Sequence, residues 1–128
     1  MLLIATIDPI LRSNLHHTLM AKGEPFLLLG EGENITDLVI RHHPSLVILD
    51  LYLSNPSGIE ILRQLRAEGF MGKVVVLGGQ STQSLAPEVT RLGALQIVGR
   101  PFNASQVLGA VRVAHGTLDD DPGLSGQT

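Results

Sequence analysis

The chain is expected to form a doubly wound α/β domain, a parallel five-stranded sheet with helices on both faces. Three observations predict this. Short apolar runs of Leu, Ile and Val recur along the chain. They are continuous rather than alternating, as in strands buried on both sides. Segments of helical period separate them, and such alternation argues a parallel sheet.

The first strand is Leu2-Leu3-Ile4-Ala5. Asp8-Pro9 then starts a helix, since Asp is a good N-cap and Pro suits the first helical position. Leu11, Leu15 and Leu19 give that helix one apolar stripe, and Gly23 ends it. Phe26 to Leu29 is the second strand, closed by Gly30 and Gly32. Asn34 caps a second helix with Ile35, Leu38, Val39 and His42 on one face, and Pro44 stops it. The third strand, Leu46 to Leu49, ends at Asp50. The third helix, from about Gly58, turns Ile59, Leu62 and Leu65 inward and leaves Arg63, Gln64 and Arg66 to water. Gly69 and Gly72 flank the turn into the fourth strand, Val74 to Leu77. Gly78 to Thr82 reads as a flexible polar loop. The next helix should be short, because Pro87 belongs in a first turn. Gly93 ends it, and Leu95 to Val98 is the fifth strand. Asn103 caps a last helix with Val107, Leu108 and Val111 facing inward. The domain is expected over 1–116, and 117–128 as a disordered tail or the start of an interdomain linker.

Composition narrows the function. At 128 residues the chain makes one domain. Hydrophobic residues are 44% and mean hydropathy is +0.26, enough for a filled core. With one Tyr, three Phe and no Trp, that core is aliphatic. A net charge of −3 without a basic run argues against nucleic-acid binding. No apolar run approaches a membrane span. No basic leader or cleavage-site pattern precedes the first strand, so secretion is not expected and a cytoplasmic protein is. The absence of Cys excludes disulfides, thiolate metal sites and cysteine nucleophiles.

The chemistry centres on Val47 to Glu60. An acid, Asp50, ends an apolar strand, and open α/β sheets place their sites at that edge. No GxGxxG follows the first strand, which disfavours a dinucleotide-binding domain. Gly78-Gly79 lacks the rest of a phosphate-binding loop. His16-His17 and His42-His43 cannot chelate as pairs, because helical neighbours point about 100° apart. They are expected as solvated surface residues.

Asp50, Gly58 and Glu60 in this setting resemble the phosphoacceptor segment of response-regulator receiver domains, the CheY-like domains. The likeness runs over about residues 2 to 115, through Asp8-Pro9, Asp50, Gly93-Ala94 and Arg100-Pro101-Phe102. It implies a flavodoxin-like (βα)5 fold with strand order 2-1-3-4-5. It also implies Mg²⁺ held by an acidic pair, by the phosphoacceptor and by a backbone carbonyl. A hydroxyl after the fourth strand and a Lys after the fifth would hold the phosphoryl group. The acidic pair falls on Thr6 and Ile7, with Asp8 beside them. Asp50 is kept, and Tyr52 offers the carbonyl. The switch positions fall on Gly78 and Ile97, and the lysine position on Arg100. Ser81 or Thr82 could reach back to supply the missing hydroxyl.

These departures imply a pseudo-receiver that acts by protein–protein contact, with no catalytic residue and no cofactor. Arg100 could pair with Asp50, and Asp8 serves as an N-cap. The alternative is a working phosphoacceptor on Asp50, with Mg²⁺ on Asp8, Asp50 and the Tyr52 carbonyl. Its partner would be a histidine kinase or phosphotransfer protein. A slip of the first strand by one residue would move Asp8 into a pair position. The output surface, toward an effector domain or a second copy in a homodimer, maps to about Leu85–His115. A small-molecule binder ranks last, since no aromatic stack or phosphate loop serves a flavin.

Overall fold

A computed structural model of the chain describes residues 1–29, 33–99 and 103–119. The elements are β1 (Leu2–Ala5), α1 (Pro9–Lys22), β2 (Phe26–Leu29), α2 (Ile35–His42), β3 (Leu46–Asp50), α3 (Gly58–Ala67), β4 (Lys73–Gly78), a 3₁₀ helix (Gln80–Leu85), α4 (Ala86–Arg91), β5 (Gln96–Gly99) and α5 (Ala104–Asp119). The strands form one parallel sheet in the order β2-β1-β3-β4-β5. This is the flavodoxin-like arrangement.

The period of two along each strand sorts side chains onto two faces. Leu3, Ala5, Val47, Leu49, Val74 and Val76 pack under α2, α3 and α4. Leu2, Ile4, Leu46, Ile48, Val75 and Leu77 pack under α1 and α5. On the α1 side the stripe Leu11, Leu15, Leu19 meets Val107, Leu108 and Val111. Among the described residues, the buried core is aliphatic save for Phe70.

Local chemistry sets the helix ends. The Asp8 carboxylate accepts from the Ile10 and Leu11 N–H groups, both at 3.0 Å. Gly23 closes α1 in the left-handed region at φ +71°, where a Cβ would be strained. Asn34 caps α2, and Ser57 forms a capping box with Glu60 on α3.

Four local expectations change. His42 is exposed rather than on the apolar face of α2, because it is the last residue of that helix, where the chain turns away at the left-handed His43. The stretch after β4 winds into the 3₁₀ helix instead of staying a loop. β5 starts one residue later than expected, at Gln96. α5 runs on to Asp119, past the boundary drawn at Gly116. Gly30 and Gly32, Arg100-Pro101-Phe102 and 120–128 lie outside the described residues.

Candidate functional site

Asp50 is the last residue of β3, and β1 and β4 flank that strand. Its side chain is fully buried. A buried carboxylate needs hydrogen-bond donors to replace water. Thr6, just past β1, donates its hydroxyl to Oδ2 at 2.7 Å. The Ile7 N–H donates to the same oxygen at 3.3 Å. The Tyr52 N–H donates to Oδ1 at 2.8 Å. Thr6 is fully buried as well, and its Oγ1 accepts from the Asp8 N–H at 3.1 Å. The first strand therefore hands Asp50 a hydroxyl and an amide, not a second acid.

The start of α3 fixes the other side. A Cβ on Gly58 would fall 2.3 Å from the Asp50 carbonyl oxygen and 2.6 Å from the Leu51 Cα. Only glycine lets the helix approach this closely. The Leu51 N–H bonds the Leu77 carbonyl at 2.9 Å, tying the loop after Asp50 to β4.

Gly78 ends β4 opposite Gly99. The Thr82 Oγ1 lies 2.9 Å from where a Gly78 Cβ would stand, close to Leu51 and Ile97. That hydroxyl accepts from the Gly79 N–H at 2.9 Å and donates to the Gly79 carbonyl at 3.0 Å. The chain thus brings a hydroxyl back to the end of β4 from four residues further on. Ser81 donates to the Tyr52 hydroxyl at 2.9 Å, so the 3₁₀ helix is joined to the loop after Asp50.

The structure gathers Thr6, Ile7, Asp50 and the Tyr52 amide into one cluster. Asp8 sits beside it with its carboxylate spent on the start of α1. Gly78 and Ile97 meet around Thr82, and Ile97 is 45% exposed. Arg100, and with it the Asp50–Arg100 pairing, lies outside the described residues. His16, His17, His42 and His43 are exposed. Among the described residues no group of three or more His, Asp or Glu could hold a metal ion. No described helix is long and apolar enough to cross a membrane.

The full role of Arg66 escaped the sequence reading. It was expected in water, yet its guanidinium bonds the carbonyls of Leu92 (2.7 Å), Phe70 (2.8 Å), Gly72 (2.9 Å) and Gly93 (3.4 Å). The available signal was its place in the last turn of α3, where a basic side chain can reach free carbonyls.

Comparison with known proteins agrees with this geometry. Residues 2–112 match the family model "Response regulator receiver domain". The chain is 28% identical over 126 residues to the response regulator MprA of Mycolicibacterium vanbaalenii, covering 97% of this chain and 54% of MprA. It is 25% identical to the transcriptional regulatory protein PdtaR of Mycobacterium tuberculosis, covering 98% of this chain and 61% of that protein. It spans little more than half the length of these curated relatives. Among solved structures, the receiver domain of NtrX from Brucella abortus superposes with a TM-score of 0.74 at 21% identity, covering 90% of this chain and 98% of that one. The chemotaxis protein CheY4 of Vibrio cholerae gives 0.75 at 18%, covering 88% and 95%.

Proposed function

The chain belongs to the response regulator receiver domain family, and from that premise we propose that it works as a pseudo-receiver. It passes a signal by protein–protein contact, without phosphorylation of Asp50. The observation that carries this reading is the donor set on the Asp50 carboxylate, the Thr6 hydroxyl and the Ile7 and Tyr52 amides, where the segment after β1 places no second acid against it.

An anionic phosphoryl group approaching a carboxylate needs a cation between them. Mg²⁺ demands an octahedron of hard oxygen ligands and dehydrates reluctantly. The residues present do not fit it. The positions beside Asp50 supply a hydroxyl that donates to the carboxylate and an aliphatic side chain, and the Asp8 carboxylate caps a helix. The switch position at Gly78 has no hydroxyl of its own.

The partner surface in this reading is Leu85–His115, covering α4, β5 and α5. Leu95, Ile97 and Val113 are exposed there. A histidine kinase, a phosphotransfer protein, an effector domain or a second copy of the chain would dock on it in the cytoplasm. MprA and PdtaR are named as regulators and are longer than this chain, so an effector domain is one such partner. The second reading, a phosphoacceptor, is favoured by one observation: Asp50 stands at the carboxyl end of β3, where the family's acceptor stands.

An amide NMR titration with Mg²⁺ and then beryllofluoride separates the two. A pseudo-receiver leaves the spectrum unchanged. Saturating shifts at Asp8, Asp50 and Gly78 that spread into α5 would establish the phosphoacceptor instead. Asp50→Asn should leave partner binding intact under the first reading and abolish switching under the second.

A further inference from the structure

We infer that α3 clamps α4 in one position, so that the partner surface is set before any partner arrives, with Arg63 and Arg66 as the positioning residues. The inference rests on the reading of α4 as part of that surface. The segment from Gln80 to Arg91 has little of its own to hold it. α4 is only six residues long, too short to be stable as an isolated helix. No side chain of the 3₁₀ helix is buried, and Val89 is the one buried residue of α4, with Leu85 packed in part beside the core. No side chain caps the start of α4. Apolar burial therefore fixes one side of the segment and leaves its tilt open.

Polar ties from the chain that follows Asp50 supply the rest. Arg63 sets its Nε and Nη2 on the two carboxylate oxygens of Glu88, with Nη2 at 2.8 Å from Oε1. Such a fork fixes direction as well as distance. The Glu88 side chain is 24% exposed, so water screens this pair less than an open one. Arg66 lies three residues further on and shares that face of α3. It bonds the Leu92 and Gly93 carbonyls just past α4, while another of its N–H groups holds the Phe70 and Gly72 carbonyls before β4. At the other end Ser81 donates to the Tyr52 hydroxyl. The segment is thus tied at its start, its middle and its end. α3 is itself fixed at its start, where Gly58 lies against the Asp50 and Leu51 backbone.

The test is amide hydrogen exchange and NMR relaxation dispersion on the whole chain. The reporters are the Leu92, Gly93 and Ala94 N–H groups, bonded to the Glu88, Thr90 and Val89 carbonyls at 2.9, 2.9 and 3.2 Å. In the wild type they should exchange slowly, and Gln80 to Arg91 should show no millisecond motion. Arg63→Met should speed their exchange by about fivefold and bring dispersion into that segment, with the β3 and β4 amides unchanged. Arg66→Lys, mild enough to fold, should loosen the same reporters. Exchanging the charges, Arg63→Glu with Glu88→Arg, should restore the quiet pattern, which a role in packing alone would not. Dispersion in wild-type α4, or Arg63→Met and Arg66→Lys variants as quiet as the wild type, would overturn the clamp. A charge-exchanged variant as loose as Arg63→Met would overturn the positioning role of Arg63. Beryllofluoride shifts at Asp50 over a quiet α4 would overturn the pseudo-receiver reading and support the clamp.

Discussion

At the carboxyl end of the sheet Asp50 collects donors, and at the amino end Arg66 collects acceptors. Asp50 takes a hydroxyl and two amides from the segments after β1 and β3. Arg66 gives its N–H groups to four carbonyls in the turns before β4 and β5. Neither meets an opposite charge among the described residues, for the ion pairs there are Arg41–Asp37 and Arg63–Glu88. Burial holds the Arg66 guanidinium below the ordinary arginine value, as expected of a cation packed among neutral dipoles. The contrast shows how a parallel sheet with short turns closes its two edges. Each edge must satisfy backbone groups that the strands no longer pair, and one multidentate side chain can do it. At the carboxyl edge that side chain is an acid, and at the amino edge it is a base.

The comparison breaks most sharply at Gly58. Gly58→Ala would drive a Cβ into backbone atoms of Asp50 and Leu51, which no rotamer change relieves. A loss of about 3 kcal/mol is expected in denaturant unfolding. Arg66→Met comes next. It removes the fork from the amino edge and strands its carbonyls, at about 2 kcal/mol by the same measurement. Arg66→Lys should recover only part of this, because an ammonium cannot span four acceptors in a fixed plane. Thr6→Val keeps the shape but deletes one donor to Asp50, at about 1 kcal/mol. If Thr6→Val proves costlier than Arg66→Met, the carboxyl edge is the stiffer of the two.

The smallest effect lies at the helix that joins the edges. Ser57 N–H and O–H groups hold the Glu60 carboxyl below its ordinary value. A lowered folded value means the contribution is complete above the ordinary carboxylate range and fades as pH falls through the folded value. The gap in thermal midpoint between wild type and Glu60→Ala should therefore be largest near neutrality and close in acid. Glu60 is exposed, so the gap will be small.

The sheet and its helices were legible because the strands are uninterrupted aliphatic runs and the caps stand where they act, whereas the strand order followed only from the family resemblance. Asp50 was legible for the same reason, as the single acid that ends a buried strand. Thr6 was legible only as a missing acid. Its role as a donor depends on where β1 ends beside β3, which no local pattern states. The 3₁₀ helix carries no apolar period, so nothing in Gln80–Leu85 marks a helix. Thr82 reaches the end of β4 because Gly78 leaves the space, a relation that becomes visible only once the turn is formed. Arg66 shares its sequence context with solvated arginines, and its partners lie in two turns, one after α3 and one after α4.

The link from Ser81 to Tyr52 also makes the protein its own optical probe. Tyr52 is the only tyrosine in a chain without tryptophan. Its ultraviolet emission therefore comes from one ring, two residues past Asp50, whose hydroxyl is bonded to the 3₁₀ helix. Any event that pulls that helix from the loop will alter the emission, so the segment can be followed in stopped-flow time without a dye or an added fluorophore.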